Sequence, residues 1–201
     1  MIGLRKWAFH KSTAENFFME VQRIQAQKKS MIKVINPDLL MQFIDFVMAS
    51  RKIENHYKLI LTLQLTCGAR VSEILNLTKE DIEFQGDKAA VKIRVLKKKG
   101  VEKFRKGAVA PQVVRELKKY VWQLQPGEKL FKVSRKSVWE RYQSMFGLTT
   151  HALRHSWVIY LFEKKDMKVQ DVVNALQFSN WTIALRYYNT RIDKNVWTMW
   201  E

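Results

Sequence analysis

The amino-acid sequence predicts a mainly α-helical domain with one small antiparallel β-hairpin or sheet in its middle, an α+β arrangement. From residue 36 to residue 189, most segments place apolar residues three and four positions apart, the spacing of amphipathic helices. One segment, AAVKIRVL at 89–96, instead alternates apolar and charged residues, which is typical of a strand. The chain has 201 residues, 47% of them hydrophobic, which is enough for one well-packed core.

The segments before this strand predict helices and one turn. Asn36 and Pro37 are residue types preferred at an N-cap and at the first helical position, and an apolar stripe follows them. HYKLILTLQLTCGA predicts a buried helix that ends near Gly68, where a glycine can terminate it. RVSEILNL predicts a short helix, and Thr78 can cap the turn TKEDIEF after it. STAENFFMEVQRIQAQKK, near the N-terminus, also has helical spacing.

The segments after the strand return to helical spacing. KKKG predicts a turn, and VEKFRKGAV can pair with the first strand as the second strand of a hairpin. Pro111 then begins a helix that PGE ends. Four further helices are predicted from the segments SRKSVWERYQSMFG, THALRHSWVIYLFEKK, KVQDVVNALQF and NWTIALRYYN.

Charge is the strongest compositional signal. The 36 Lys and Arg residues against 19 Asp and Glu residues give a net charge of +17, which favours a polyanionic partner, nucleic acid first. A membrane surface is the alternative, but no segment is a basic amphipathic anchor and no apolar run has transmembrane length. Cys67 is the single cysteine, which excludes an intrachain disulfide and a cysteine-based zinc site, and a reducing cytoplasm is expected. The N-terminal segment lacks the pattern of a secretory signal.

The motif HALRH at 151–155 places two imidazoles and a guanidinium on an otherwise apolar helix. Cleavage of a phosphodiester without a metal requires such groups, because its transition state carries extra charge on two non-bridging oxygens. Arginine binds these oxygens well, since its planar fork donates paired hydrogen bonds and stays charged. A lysine can protonate the leaving oxygen, and a tyrosine can act as the nucleophile.

Three segments, TCGARVSEILNL, HALRH and LQFSNWTIALRYY, together resemble the tyrosine recombinase (phage integrase) family, and the resemblance covers about residues 36–190. The resemblance implies the fold of the family's catalytic domain and a site-specific DNA recombinase or integrase activity through a 3′-phosphotyrosyl intermediate. The implied catalytic residues are Arg70, His151 and Arg154 on the scissile phosphate, Lys98 of the hairpin turn as general acid, and Tyr187 as nucleophile. Lys97 and Lys99 are not excluded as the acid, and Tyr188 is the less well spaced tyrosine.

Other residues are expected to support this site. Glu73 can orient Arg70 from one helical turn away, and His155 can either pack or support its neighbours. The sequence departs from the family at Phe178, where a histidine or tryptophan usually donates to the phosphate, and at Gln177, where a glycine is usual. Trp181 could supply an indole N–H instead. Further DNA contacts are expected from the basic residues Lys97, Lys99, Lys103, Arg105, Arg135, Lys136 and Arg141.

The resemblance also implies an organisation and partners. Residues 1–30 are expected to form an extension or linker rather than a full core-binding domain, 31–190 the catalytic domain, and 191–201 a tail that can dock on a neighbouring protomer. Double-stranded DNA is the expected partner, with a tetramer on DNA, a monomer when free, and no cofactor or metal. A DNA-associated protein of the cytoplasm in a prokaryotic or viral-host cell fits these features. Two alternatives remain, a relative that binds DNA without cutting it and a relaxing type IB topoisomerase.

Overall fold

The computed structural model describes residues 34–95, 102–178, 182 and 184. Within this part the chain forms seven α-helices and one three-stranded sheet. The helices are α1 (Leu40–Ala49), α2 (Asn55–Thr66) and α3 (Val71–Leu75) before the sheet, and α4 (Pro111–Trp122), α5 (Arg135–Phe146), α6 (Thr150–Lys164) and α7 (Val169–Leu176) after it. The strands are β1 (Ile82–Gln85), β2 (Lys88–Val95) and β3 (Lys103–Ala108). This arrangement confirms the predicted mainly helical fold with a small antiparallel sheet.

The first helical segment begins where the sequence predicts. The Asn36 side chain accepts a hydrogen bond from the backbone N–H of Asp38 over 3.0 Å. The cap starts a single 3-10 turn, Pro37–Leu39, before α1. Helix α2 lies deep in the core, because every residue from Leu59 to Thr66 is buried.

Helix α2 ends in a Schellman motif. The N–H of Gly68 donates to the carbonyl of Leu65, and the N–H of Ala69 donates to the carbonyl of Gln64. Gly68 has a φ of +55°, and a Cβ on it would lie 2.6 Å from Cδ1 of Trp157. Only glycine combines this backbone conformation with this close approach. The turn brings the chain directly to Arg70, the N-cap of α3.

The sheet has the order β1-β2-β3 and is antiparallel throughout. The hairpin of β2 and β3 is the predicted one. Strand β1 occupies part of the segment predicted as a turn, and it differs for two reasons. Ile82 is buried opposite Val91. Gly86, with a φ of +58°, forms a two-residue turn with Asp87 that lets β1 pair with β2.

One face of the sheet packs against the end of α2. Gly107 on β3 is the closest point, because a Cβ there would lie 2.7 Å from Cβ of Cys67 and 2.8 Å from its Sγ. Arg105 lies two residues earlier on the same buried face, opposite Ile93 of β2. Because glycine has no side chain, β3 can approach the α2–α3 turn closely at Gly107.

The later helices have defined ends. Thr149 caps α6 by accepting from the N–H of Ala152 over 3.1 Å. Helix α7 is followed by its C-cap Gln177, which has a φ of +47°, the left-handed conformation that favours glycine. Helices α6 and α7 share an apolar cluster that includes Val158, Phe162 and Leu176. Among the described residues, no helix combines the length and apolar character needed to cross a membrane.

Candidate active site

Three arginines surround one buried carboxylate, that of Glu73, whose side chain has no exposed surface. Arg70 Nη1 lies 2.7 Å from Oε1, Arg105 Nη2 lies 3.7 Å from Oε2, and Arg154 Nη1 lies 3.9 Å from Oε2. We call these four residues the arginine cluster. Arginine stays protonated in proteins, so three positive charges and one negative charge leave the cluster with a net charge of two positive.

Arg70 is the most exposed member of the cluster, with 40% of its side chain accessible. It is the N-cap of α3, and Glu73 is the third residue of that helix. The Glu73 carboxylate accepts from the Arg70 backbone N–H over 2.8 Å and from its Nη1 over 2.7 Å. The short helix α3 thus fixes both ends of this interaction, as the sequence predicted for the pair.

Arg154 is held by the ends of two helices and is 5% exposed. Its Nη1 donates to the carbonyl of Gly68 at the end of α2 over 2.6 Å. Its Nη2 donates to the carbonyl of Leu176, the last residue of α7, over 3.2 Å. The Phe178 ring lies over the guanidinium, with 4.6 Å between Cζ and the ring centroid, a cation–π contact. Phe178 therefore touches a predicted catalytic residue although it cannot donate a hydrogen bond.

The two histidines of HALRH lie in different environments. His151 is exposed in the first turn of α6, three residues before Arg154. His155 is half-buried one turn later. Burial lowers the pKa of His155 to about 4, and the neighbouring His151 and Arg154 contribute to the decrease. His155 is therefore neutral near pH 7, which suits a packed supporting residue better than a cation for phosphate.

The structure corrects the prediction that Arg105 contacts DNA. Arg105 is 7% exposed, and it donates from Nη1 to the carbonyl of Cys67 over 2.8 Å and from Nη2 to that of Gly68 over 3.4 Å. Burial lowers the pKa of Arg105, and Glu73 opposes that decrease. The neighbouring Phe104 lies on the outer face of the strand, 43% exposed, beneath the ammonium of Lys92. Gly107, two residues later on the same strand face, permits the close packing against Cys67 that buries Arg105.

The remaining predicted DNA contacts differ in their surroundings. Lys103 is exposed at the start of β3, and Arg135 and Lys136 are exposed in the first turn of α5. Arg141 is instead engaged with the protein itself, through an ion pair with Glu54 at 2.5 Å and a contact with the Tyr57 ring. Five predicted site residues lie outside the described residues: Lys97, Lys98, Lys99, Trp181 and Tyr187.

Metal ligands are a separate question. In the described ranges, no group of three or more His, Cys, Asp or Glu side chains could hold a metal ion.

The fold and the arginine cluster together define a mainly helical protein in which helix ends and one buried carboxylate hold three guanidinium groups, the side-chain type that pairs well with carboxylate or phosphate. The family model described as "Phage integrase family" matches residues 33–194, and the chain belongs to this family. No curated protein matches the chain by sequence.

Solved structures with this fold come from several recombinases. The XerH site-specific recombinase bound to difH substrate in a pre-cleavage complex is 21% identical, over 84% of this chain and 53% of that one, with a TM-score of 0.61. The XerA recombinase is 16% identical over 80% and 60%, with a TM-score of 0.60. The Tn1549 transposon integrase in complex with transposon right end DNA is 17% identical over 77% and 61%, with a TM-score of 0.56. The chain thus spans little more than half the length of these proteins.

Proposed function

We propose that this chain is the catalytic domain of a tyrosine recombinase that cuts and rejoins double-stranded DNA at specific sites. The observation that carries the proposal is the convergence of Arg70 and Arg154 on Glu73, together with membership of the phage integrase family. A cluster with two net positive charges suits the transition state of phosphodiester cleavage, which carries two negative charges.

The reaction begins when Arg70, His151 and Arg154 bind the non-bridging oxygens of the scissile phosphate. The Tyr187 hydroxyl gives its proton to solvent and its oxygen attacks phosphorus, forming a 3′-phosphotyrosyl bond as the bond to the 5′ oxygen breaks. Lys98, or Lys97 or Lys99 beside it, gives that oxygen a proton, so a free 5′ hydroxyl leaves. Attack by a 5′ hydroxyl from the partner strand reverses the steps and rejoins DNA. The bond energy is conserved in the phosphotyrosyl bond, so the reaction requires no ATP.

DNA is the partner that the charge and the comparisons favour. The net charge of +17 attracts a polyanion, and Lys103, Arg135 and Lys136 are exposed cations suited to phosphate contacts. The XerH structures are complexes with difH substrate before and after cleavage. A tetramer assembled on DNA from free monomers follows from strand exchange between two sites, with 31–190 as the catalytic unit and 191–201 as the docking tail. The matched proteins are recombinases and integrases, which does not favour the topoisomerase or non-cutting alternatives.

Trapping of the covalent intermediate tests this proposal. We would incubate the protein with a library of nicked duplexes whose central segment is randomised, so that cleavage beside the nick releases a short strand and prevents rejoining. Covalent adducts are then isolated under denaturing conditions and sequenced. Wild type should form adducts on a defined sequence, Tyr187→Phe should form none, and the matched control Tyr188→Phe should behave as wild type.

Three results would contradict the proposal. If wild type traps no sequence from the library, the chain is not a DNA-cutting enzyme. If Tyr187→Phe traps as much adduct as wild type, the assigned nucleophile is wrong. If the protein relaxes a supercoiled plasmid that lacks the selected sequence as fast as one that contains it, the topoisomerase alternative is correct.

A further inference from the structure

We infer that Arg105 is a positioning residue for the phosphate-binding arginines, acting through the Gly68 carbonyl and the Glu73 carboxylate that it shares with Arg154. The inference rests on the proposed function. It assigns to Arg105 a role inside the site rather than on the DNA-binding surface.

The shared carbonyl is the first observation. The Gly68 oxygen accepts from Arg154 Nη1 over 2.6 Å and lies 3.4 Å from Arg105 Nη2, which also donates to it. Arg105 donates in addition to the preceding carbonyl, that of Cys67, over 2.8 Å. Strand β3, the end of α2 and helix α6 therefore meet at one peptide group. Arg105 fixes the position of the acceptor that orients Arg154.

The shared carboxylate is the second observation. Glu73 Oε2 accepts from the Arg70 backbone N–H and lies within 4 Å of a guanidinium nitrogen of both Arg105 and Arg154. Arg154 Nη1 is 3.9 Å from this oxygen but 2.6 Å from the Gly68 carbonyl. If Arg105 were absent, the buried carboxylate would lose one counter-charge and attract Arg154 more strongly. The Arg154 fork would then turn toward Glu73 and away from the phosphate.

Burial and pairing distinguish Arg105 from an exposed cation of the same strand. The Arg105 side chain is 4% exposed, whereas that of the next residue on the strand, Lys106, is 66% exposed and pairs with Glu83. Both are cations on β3, but they lie on opposite faces of the sheet. Lys106→Gln is therefore a matched control, since it removes the same charge from the same strand without touching the cluster.

The test uses the DNA sequence selected by wild type from the nicked library, in two forms. One form carries the normal scissile phosphate. The other carries a methylphosphonate, in which a methyl group replaces one non-bridging oxygen and removes one negative charge. Wild type, Arg105→Gln, Arg105→Lys and Lys106→Gln are compared by the single-turnover rate of adduct formation, by affinity for the duplex as a function of salt, and by melting temperature.

We expect Arg105→Gln to slow adduct formation on the normal phosphate about 100-fold, the effect of a displacement of about 1 Å in a catalytic group. The decrease should be much smaller on the methylphosphonate, because its transition state carries less negative charge for a positioned guanidinium to stabilise. Duplex affinity and its salt dependence should equal those of wild type, because the inference places Arg105 behind the phosphate-binding arginines and not against DNA. Arg105→Lys should be intermediate, since it keeps the charge but lacks the fork that donates to two carbonyls. Lys106→Gln should form adduct as fast as wild type.

Several results would overturn the inference while the proposed function stands. Equal losses on both substrates would indicate a purely structural role, and the ratio of the two rates is independent of how much variant is folded. A loss of affinity for the duplex with a shallower salt dependence would show that Arg105 contacts DNA. A loss that disappears with a 5′-sulfur leaving group, which needs no protonation, would place its effect on the general acid. If wild type itself forms no adduct, the proposed function fails and this inference fails with it.

Discussion

The Arg70 guanidinium donates from Nη1 to Oε1 of Glu73 over 2.7 Å, while the Arg70 backbone N–H donates to Oε2 of the same carboxylate over 2.8 Å. A single buried side chain thus caps helix α3 and orients the guanidinium at its start. The remaining attraction of Oε2 is divided between Arg105 and Arg154. Glu73 is therefore the residue on which the geometry of the whole cluster depends.

Removal of the Glu73 charge should destabilise the protein. Glu73→Gln keeps an oxygen for the Arg70 N–H but leaves three guanidiniums without a buried counter-charge. We expect the free energy of unfolding to fall by about 3 kcal/mol, as when one partner of a buried ion pair is lost. Urea denaturation measures this change. The control Glu116→Gln breaks an exposed pair with Lys119 and should cost less than about 1 kcal/mol. Equal effects of the two variants would show that burial of Glu73 is energetically unimportant.

A hydrogen-bond donor at position 178 should accelerate cleavage. Phe178 lies over Arg154 at the position where the family usually has a donor to the phosphate, and its ring cannot supply one. Phe178→His should raise the rate of adduct formation roughly tenfold to a hundredfold, because one donor to a transition-state oxygen is typically worth that much or more. Phe178→Leu removes the ring without adding a donor and should not accelerate the reaction. A histidine variant no faster than the leucine variant would mean that position 178 does not face the phosphate.

His155 should make stability depend on pH in the mildly acidic range. Burial, His151 and Arg154 lower its pKa in the folded protein from 6.5 to about 4. His155 binds a proton near pH 6.5 in the unfolded chain but only near pH 4 in the folded protein. The free energy of unfolding is therefore highest above pH 6.5, and the part that depends on a neutral His155 is lost as the pH falls toward 4. Urea denaturation across this range should show a smaller loss for His155→Gln than for wild type, and parallel curves would contradict the assignment.

A methyl group at Gly107 should disturb both stability and the site. Its Cβ would lie 2.7 Å from Cβ of Cys67, which forces β3 away from the α2–α3 turn and withdraws Arg105 from its two carbonyls. We expect Gly107→Ala to lower the free energy of unfolding by about 1–3 kcal/mol, the usual cost of overpacking. Removal of Sγ in Gly107→Ala/Cys67→Ala should relieve part of the clash. The two substitutions should therefore couple favourably in a double-mutant cycle followed by urea denaturation. Strict additivity would mean that β3 does not touch Cys67 in solution.

Local patterns predicted most of the fold because each depends on neighbouring residues. The N-cap at Asn36, the end of α2 at Gly68 and the alternation along β2 all appear in the structure as expected. Strand β1 was missed because its pairing depends on a turn at Gly86 and on burial of Ile82 by the rest of the sheet. Burial against distant elements is not encoded in four residues of sequence.

The site shows the same limit. The interaction of Arg70 with Glu73 could be predicted because the two residues are one helical turn apart. The inward position of Arg105 could not, since it depends on how β3 packs against the end of α2, 37 or 38 residues earlier in the sequence. The left-handed backbone of Gln177 could not be predicted either, because this conformation favours glycine. It is stabilised by the Schellman turn after α7, in which the N–H of Phe178 donates to the carbonyl of Val173.

The carbonyl groups that hold Arg105 and Arg154 all belong to helix ends. Cys67 and Gly68 terminate α2 and Leu176 terminates α7, so both guanidiniums lie where helix dipoles place partial negative charge. Peptide dipoles have no net charge. They accept hydrogen bonds from the terminal nitrogens and orient the forks, yet they cancel none of the positive charge as additional carboxylates would. The cluster thus keeps its excess of positive charge, which on the proposed function the scissile phosphate would neutralise.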